Sequence, residues 1–202
     1  MPALKLPSRR LLLKQSLAAG GLCLAAGYAG LGRAQDLAPT PQCRDHDDPT
    51  EAQIEGPFFK PLSPERDDLV EPGTAGRIFQ LEGQVLTRLC QPVEGALLDL
   101  WQADENGDYD DFGYRYRGHI HADAAGRYRF RTILPGLYPG RTRHYHFKVQ
   151  AAPQSPLLTT QLYFPGEPRN ASDCYYDPAL LMRISNGASE SNARFDFVLD
   201  IA

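Results

Sequence analysis

Two-residue alternation of apolar and polar side chains is the feature that most constrains the fold of this chain. Residues 127–132 read Arg-Tyr-Arg-Phe-Arg-Thr, and residues 193–201 alternate in the same way for most of their length. Successive side chains of a β-strand point to opposite faces of its sheet, so this period indicates strands with one buried face. Shorter strand patterns occupy five other regions, namely 78–85, 97–101, 119–122, 144–150 and 157–164.

These patterns predict an all-β fold. They indicate about seven strands, whereas only one segment, residues 178–184, is a weak candidate for a helix. The 17 prolines and 18 glycines are typical of a chain that turns often. We therefore expect an antiparallel β-sandwich of about seven strands.

The first 34 residues have the pattern of an export signal. Residues 8–14 read Ser-Arg-Arg-Leu-Leu-Leu-Lys, and an apolar stretch rich in Ala, Gly and Leu follows at residues 17–31. This predicts a twin-arginine-type signal peptide over residues 1–34, with cleavage after Ala34 and export to the periplasm or the cell exterior. A permanent transmembrane helix is the weaker alternative, because the apolar run is short and interrupted by glycine.

Two segments follow the signal. Residues 35–76 are rich in Asp, Pro and Glu, which predicts an extended N-terminal arm wrapped on the core, and residues 77–202 form the β-sandwich domain. Five of the 21 basic residues and none of the 25 acidic residues precede residue 35, which gives the rest of the chain a net charge of −9. This charge argues against nucleic acid and anionic membranes as partners.

Three cysteines follow the signal, Cys43, Cys90 and Cys174. In an oxidising compartment they predict one disulfide and one leftover thiol, and the sequence leaves all three pairings open. Their wide spacing does not indicate zinc, whose sites usually contain a short Cys-x-x-Cys separation.

A histidine pair on a predicted strand, His144 and His146, is the first candidate for chemistry. Residues two apart on a strand share a face, so both imidazoles can bind one ion. A pair of surface histidines is the plain alternative, and His119 and His121 form a second such pair. Tyr138 adds a phenol six residues before His144. A phenolate with two neutral nitrogens favours ferric iron, because phenols ionise only beside a strong Lewis acid.

Several ordered segments of the chain are similar to those of one enzyme family. They lie at residues 55–59, 81–85, 92–96, 101–109, 126–133, 138–146 and 160–164. In these motifs the chain resembles the intradiol ring-cleavage dioxygenases, the non-haem Fe(III) enzymes that include protocatechuate 3,4-, catechol 1,2- and hydroxyquinol dioxygenases. The resemblance covers residues 55–168, which is most of the chain after the signal.

This resemblance implies an oxidoreductase that cleaves catechol-type diols with O2 to muconate-type diacids. It also implies which residues of this chain bind the non-haem Fe(III), namely Tyr109, Tyr138, His144 and His146. Tyr138 corresponds to the ligand that is released when substrate binds. Arg141 corresponds to an arginine over the bound ring, and Gln161 to an active-site glutamine. Tyr138 and Arg141 are then catalytic, and Arg141 and Gln161 bind substrate.

The same resemblance sets the expected partners, a small-molecule catechol and O2. The net charge and the short, interrupted apolar run predict no nucleic acid partner and no stable membrane span in the mature form, and a homo-oligomer is left open. His119 and His121 are not family ligands and are expected to be ordinary strand residues. Only five residues separate Tyr138 from His144, where larger members have a longer loop with a tryptophan. We therefore expect a more open pocket and a broader or different catechol preference.

Two other functions compete with this prediction. One is a non-enzymatic exported β-sandwich module that binds a polymer or a partner. Such a module does not need two tyrosines and two histidines together. The other is an enzyme on the same scaffold with copper or zinc on the histidines. A calcium loop at residues 104–115 is not predicted, because its sixth and twelfth residues are not glycine and glutamate, and we expect a turn there.

Overall fold

The computed structural model describes Cys43 and residues 48–202, and this part of the chain forms nine strands in two sheets. The strands are β1 (Ile78–Thr87), β2 (Leu97–Trp101), β3 (Arg117–His121), β4 (Arg127–Ile133), β5 (His144–Gln150), β6 (Leu157–Tyr163), β7 (Arg183–Asn186), β8 (Ser191–Arg194) and β9 (Phe197–Leu199). One sheet has the order β3-β2-β5-β6 and the other β4-β1-β8-β7, in which β9 also pairs with β1. The predicted all-β sandwich is confirmed, with nine strands instead of about seven.

The four-stranded sheet is antiparallel throughout and carries the predicted histidine pair on its inner strand β5. Tyr145, Phe147 and Val149 of this strand are fully buried in the apolar core. Each such side chain contributes roughly 1.5–3 kcal/mol when it leaves water. Because side chains alternate along a strand, this burial turns His144 and His146 to the opposite face of the sheet.

The second sheet contains parallel pairs, which the predicted antiparallel arrangement does not include. β8 and β9 both run parallel to β1 and share one register along it. The single strand predicted over residues 193–201 is wrong, because it is interrupted between Arg194 and Phe197. At this break the carboxylate of Asp196 accepts a hydrogen bond from the Gln84 N–H at 2.8 Å. A buried side chain therefore takes the place of a backbone acceptor and divides the strand.

The helix predicted over residues 178–184 is wrong beyond its first turn. Pro178–Leu180 is a 3-10 helix, and the Asp177 carboxylate accepts a hydrogen bond from the Ala179 N–H at 2.8 Å. The chain then becomes extended and forms β7, which pairs with β8 in antiparallel register. Sheet pairing outweighs the helical preference of so short a segment.

Residues 48–77 precede the first strand and follow an extended course along both sheets. The Gln53 N–H donates to the Thr159 carbonyl of β6 at 2.8 Å, and the Leu69 N–H donates to the Arg131 carbonyl of β4 at 2.8 Å. The arm therefore passes from one sheet to the other. The boundary predicted at residue 35 lies outside the described residues.

The cysteines that the sequence left unpaired are assigned by the structure. Cys43 and Cys90 form a disulfide with their Cα atoms 5.7 Å apart, whereas Cys174 is free and exposed. The bond connects the arm to the turn that follows β1.

The predicted signal peptide, residues 1–34, lies outside the described residues. Within the part of the chain that the structure describes, we find no helix with the length and apolar character of a membrane span.

Candidate active site

The two histidines of β5 and Tyr109 bring three donor atoms together. The Nε2 atoms of His144 and His146 lie 3.1 Å apart. The Tyr109 hydroxyl oxygen is 3.3 Å from Nε2 of His144 and 3.1 Å from Nε2 of His146. The histidines are 5% and 3% exposed. Three of the four predicted ligands therefore converge on one buried point.

The structure favours the neutral form of both histidines. Nδ1 of His144 lies 2.7 Å from the Thr142 carbonyl, so Nδ1 carries the proton and Nε2 presents its lone pair. Burial, with the charge of Arg141, lowers the pKa of His144 to about 4. Burial and the neighbouring His144 lower the pKa of His146 as well. At neutral pH both imidazoles are therefore in the form that binds metals.

The ring of His146 is held in place by Trp101, its cross-strand neighbour on β2. The two rings are stacked, with centroids 4.8 Å apart and planes 9° from parallel. Trp101 is 1% exposed, so this contact is part of the protein interior. The sequence indicated Trp101 only as part of a family motif, and its role as a support for His146 appears once β2 and β5 are paired.

Two glycines let the loops that carry Tyr109 and Tyr138 pack directly against each other. A Cβ on Gly107 would lie 2.6 Å from the Leu137 carbonyl oxygen, so only glycine fits at this point. A Cβ on Gly136 would lie 2.2 Å from the Gly107 nitrogen. The rings of Tyr109 and Tyr138 are consequently 5.7 Å apart, edge to face. The predicted turn at the start of the Tyr109 loop is confirmed.

A tight turn connects Tyr138 to Arg141. The Arg141 N–H donates to the Tyr138 carbonyl at 3.1 Å. Pro139 and Gly140 occupy the two central positions, and Gly140 has φ +76°. Pro followed by Gly in this conformation is typical of a type II turn, since the second position needs positive φ. The local sequence therefore sets the spacing between the predicted fourth ligand and the predicted catalytic arginine.

Arg141 is fixed by two acceptors. Its Nε donates to the Asp173 carboxylate at 2.8 Å, and its Nη2 donates to Gln161 Oε1 at 2.6 Å. Burial opposes the ionisation of Asp173, but hydrogen bonds from the Tyr175 and Thr142 N–H groups and from Arg141 outweigh it and lower the pKa of Asp173. Sequence analysis missed Asp173, because it lies 32 residues from Arg141 and no local pattern connects the two.

The arm completes the cavity in which these residues meet. Phe58 of the arm stacks on Tyr109, with ring centroids 4.3 Å apart and planes 6° from parallel. The cavity has a volume of about 300 Å³ and is lined by Ile54, Gly56, Pro57, Phe58, Tyr109, Tyr138, Pro139, Gly140, Arg141, His144, His146, Cys174 and Tyr175. Five of the six predicted site residues line this cavity, and the sixth, Gln161, contacts it through Arg141.

These side chains fit a metal ion that takes hard donors. Their donor atoms are 3.1–3.3 Å apart, the spacing of ligand atoms that each lie about 2.1 Å from one ion. Among the described residues no three His, Cys, Asp or Glu side chains cluster in this way. Burial raises the pKa of the Tyr109 phenol, opposed by the charges of Arg141 and Arg117. Such a phenol ionises only beside a strong Lewis acid, and ferric iron is a natural one.

The second histidine pair, His119 and His121, lies on β3 and is not aligned across the sheet with His144 or His146. His119 pairs with Asp99 of β2, which pairs with Lys148 of β5, so this row does not reach His144 or His146. Nδ1 of His119 lies 3.2 Å from the Ser63 hydroxyl, which donates to the Asp99 carboxylate at 2.9 Å. These contacts attach the arm to the sheet. His121 is exposed and lies 3.9 Å from Glu65.

The Asp99 contact makes the stability of the fold depend on pH. Burial raises the pKa of Asp99 to about 6, although the hydrogen bond from Ser63 acts to lower it. An aspartate in an unfolded chain has a pKa of about 3.9, so the folded state holds this proton more tightly. The contribution of Asp99 to the free energy of unfolding therefore falls as pH rises from about 4 to above 6. Asp99→Asn keeps an acceptor for Ser63. It should remove up to about 3 kcal/mol from the change in the free energy of unfolding with pH.

Urea unfolding at pH 4.5 and pH 7.5 measures this effect. The exposed Asp67→Asn variant is the control and should keep the pH dependence of the wild type. An Asp99→Asn variant whose free energy of unfolding changes with pH as much as that of the wild type would contradict the prediction.

Comparisons with known proteins agree with this site. The Dioxygenase_C family model, described as "Dioxygenase", matches residues 54–201. The protocatechuate 3,4-dioxygenase beta chain of Burkholderia cepacia is 30% identical over 198 residues, which cover 86% of this chain and 76% of that protein. Hydroxyquinol 1,2-dioxygenase of Corynebacterium glutamicum is 31% identical over 148 residues, which cover 61% of this chain and 49% of that protein. This chain therefore spans about half the length of that relative.

A solved structure extends the agreement to the fold. The dioxygenase domain of a dioxygenase carbohydrate-binding protein fusion from Streptomyces sp. SirexAA-E superposes with a TM-score of 0.74 and 55% sequence identity. The superposition covers 77% of this chain and 100% of that domain. The family match over residues 54–201, the relatives and the shared fold together show that this chain belongs to the intradiol ring-cleaving dioxygenases.

Proposed function

We propose that this protein cleaves catechol-type diols with O2 between the two hydroxylated carbons and releases a muconate-type diacid. One carbon–carbon bond breaks, the two carbons are oxidised, O2 is reduced, and both of its oxygen atoms stay in the product. The observation that carries the proposal is the convergence of the Tyr109 hydroxyl and the two histidine Nε2 atoms within 3.3 Å at a cavity wall. A binding module has no need for this arrangement.

Tyr109, Tyr138, His144 and His146 would hold a non-haem ferric ion. When bound, this ion supplies the Lewis acidity that lowers the pKa of the catechol hydroxyls and makes the electron-rich ring reactive toward O2. The neutral imidazoles and the phenol oxygens are the donors that this chain offers to it. Trp101 keeps the His146 ring in orientation through the stacked contact at 4.8 Å.

Two residues would act on the substrate. Tyr138 lines the cavity, and its phenolate oxygen takes a proton from one catechol hydroxyl as the substrate binds. The guanidinium of Arg141, held by Asp173 and Gln161, faces the same cavity and stabilises negative charge that develops on the ring. Phe58 and Tyr109, stacked on each other, give the cavity an apolar aromatic wall that suits a flat ring.

Metal analysis and visible spectroscopy of the purified full chain test the proposal. We expect one iron per chain and a tyrosinate absorption band that moves to longer wavelength when catechol is added without oxygen. Turnover under 18O2 should then place two labelled oxygen atoms in the diacid. A protein that stays colourless after iron is supplied would overturn the proposal and favour a non-enzymatic binding module.

The charges around the cavity predict which catechols are preferred. Arg141 is the one basic residue among the described cavity-lining residues apart from the histidines, and Asp173 balances its charge. A carboxylate substituent on the ring would therefore find no unpaired cation, and burying it would cost free energy. We expect kcat/KM for catechol or 4-methylcatechol to exceed that for protocatechuate by about 10-fold or more. Equal kcat/KM values for catechol and protocatechuate would contradict this prediction.

We also propose export by the twin-arginine route. The support is the Ser-Arg-Arg-Leu-Leu-Leu-Lys sequence at residues 8–14 and the apolar stretch that follows it. Replacement of both Arg9 and Arg10 by lysine should leave the protein in the cytoplasm, and cell fractionation measures this. Unchanged export of the double variant would contradict the proposal.

A further inference from the structure

A buried arginine outside the predicted site, Arg117 of β3, connects two walls of the cavity. Arg117 is 1% exposed to solvent. Nη1 donates to the Phe58 carbonyl at 2.6 Å, and Nη2 donates to the Asp110 carbonyl at 3.1 Å. Taking a guanidinium out of water costs free energy, and these two hydrogen bonds offset part of that cost.

One of the two carbonyls belongs to a member of an aromatic pair, and the other belongs to the residue that follows its partner in the chain. Phe58 lies in the arm and stacks on Tyr109, with ring centroids 4.3 Å apart. Asp110 directly follows Tyr109 in the chain. One guanidinium thus binds Phe58 directly and binds the residue adjacent to Tyr109. The hydroxyl of the same Tyr109 side chain lies 3.1 Å from Nε2 of His146.

The loop that follows Tyr109 is hydrogen-bonded to itself through Asp110. The carboxylate of Asp110 accepts hydrogen bonds from the N–H groups of Phe112, Gly113 and Arg115 at 3.0, 2.7 and 2.8 Å. A loop closed on itself in this way needs few attachments to the sheet to define its position. Arg117 supplies such an attachment, since it is a strand residue with its backbone in the β2–β3 ladder.

Other contacts of the arm lie farther from Tyr109. Lys60 of the arm donates to the Asp111 and Gly113 carbonyls at 3.2 and 2.6 Å, beyond Asp110 in the loop. Gln161 donates to the Ile54 carbonyl at 2.9 Å, and Lys148 forms an ion pair with Glu55 at 2.5 Å. The Gln161 and Lys148 contacts fix the arm on the sheet but bind nothing near Tyr109. Arg117 differs from them, because it connects strand β3 to Phe58 itself and to the residue next to Tyr109.

We propose that Arg117 is a positioning residue, which sets the Tyr109 hydroxyl against the two histidines by holding the Phe58 and Asp110 carbonyls. The proposal rests on the proposed function, in which Tyr109 is an iron ligand. Displacement of a reacting group by about 1 Å costs on the order of 100-fold in rate, and loss of a ligand-orienting partner costs about 10–100-fold in metal affinity.

The test compares Arg117→Lys and Arg117→Met with the wild type. Lysine is a point donor that cannot reproduce the fork of two guanidinium nitrogens, so both variants should lose the double attachment. We expect about 10–100-fold weaker iron binding and a changed wavelength or intensity of the tyrosinate band. A crystal structure of metal-free Arg117→Lys should show the Tyr109 hydroxyl displaced from the histidines.

Arg131→Met is the matched control. Arg131 also attaches the arm to a sheet, through Asp68 at 3.1 Å, and it pairs with Glu190 at 2.9 Å, but it does not line the cavity. This variant should lose stability and keep the wild-type absorption band and iron affinity. A shift seen in both Arg117 variants and absent from the control separates positioning from general loss of arm contacts.

The outcomes distinguish this proposal from the proposed function. If the wild type forms a coloured iron complex and folded Arg117 variants keep its band and its affinity, the positioning role is overturned and the proposed function stands. If the wild type itself forms no coloured complex, the proposed function fails. The metal-free structure then decides the position of Tyr109, and an undisplaced Tyr109 hydroxyl in Arg117→Lys overturns the positioning role in that case too.

Discussion

Replacement of His146 by alanine or glutamine is expected to abolish iron binding and to lower catechol cleavage by about 10³-fold or more. A Lewis-acid metal contributes several kcal/mol to the stabilisation of charge in a transition state, and each 1.36 kcal/mol corresponds to a factor of ten in rate. Nε2 of His146 lies 3.1 Å from both His144 and Tyr109, so its loss leaves the remaining donors without a shared centre. Metal content and steady-state turnover measure the effect.

Glutamine and alanine serve different purposes in this experiment. The His146 ring is buried against Trp101, so alanine leaves a cavity and also lowers stability, whereas glutamine fills more of the space. His119→Ala is the matched control, because His119 lies on the same sheet and contacts Ser63. The control should keep one iron per chain and wild-type turnover. Full turnover by iron-loaded His146→Gln would show that the ligand assignment is wrong.

Tyr138→Phe is expected to lower kcat by about 10²–10⁴-fold, the usual contribution of a positioned proton acceptor. The substitution removes one hydroxyl and keeps the ring, which packs edge to face on Phe58 at 5.4 Å and on Tyr109 at 5.7 Å. Iron should therefore still bind through the other three side chains. The absorption band should change, because one of the two proposed tyrosinate ligands is lost.

The control for this variant is Tyr114→Phe. The Tyr114 hydroxyl donates to the Pro61 carbonyl at 3.0 Å, outside the cavity. Its removal should leave kcat and the absorption band unchanged, at a cost of about 1 kcal/mol in stability. A Tyr138→Phe enzyme with bound iron and wild-type kcat would exclude Tyr138 as the proton acceptor.

Local sequence patterns predicted the parts of this site that depend on few residues. The alternation on β5 puts His144 and His146 on one face, since Tyr145 and Phe147 are drawn into the core. The turn after Tyr138 was not predicted, but it is equally local, because glycine at its second central position tolerates φ +76°. Side-chain period and turn chemistry act over two to four residues, so they can be read without knowledge of the fold.

The wrong predictions concern segments whose structure depends on distant parts of the chain. The helix predicted over residues 178–184 is replaced after Leu180 by β7, which forms because β8 is available as a partner. The strand predicted over residues 193–201 is divided because the Asp196 side chain meets Gln84, more than 100 residues away in the chain. Each error results from a contact with a segment that no local window contains.

By itself the sequence determined the β-sandwich, the shared face of the histidine pair, and the set of residue types that suits ferric iron. Only the tertiary structure decided what surrounds them. It brought Phe58 of the arm onto Tyr109, connected Phe58 and Asp110 through Arg117, and placed the Asp173 carboxylate against Arg141. The physical reason is the distance along the chain over which each interaction acts. Strand period and turns depend on neighbouring residues, whereas stacking and buried hydrogen bonds depend on which distant segments the packed sheets bring together.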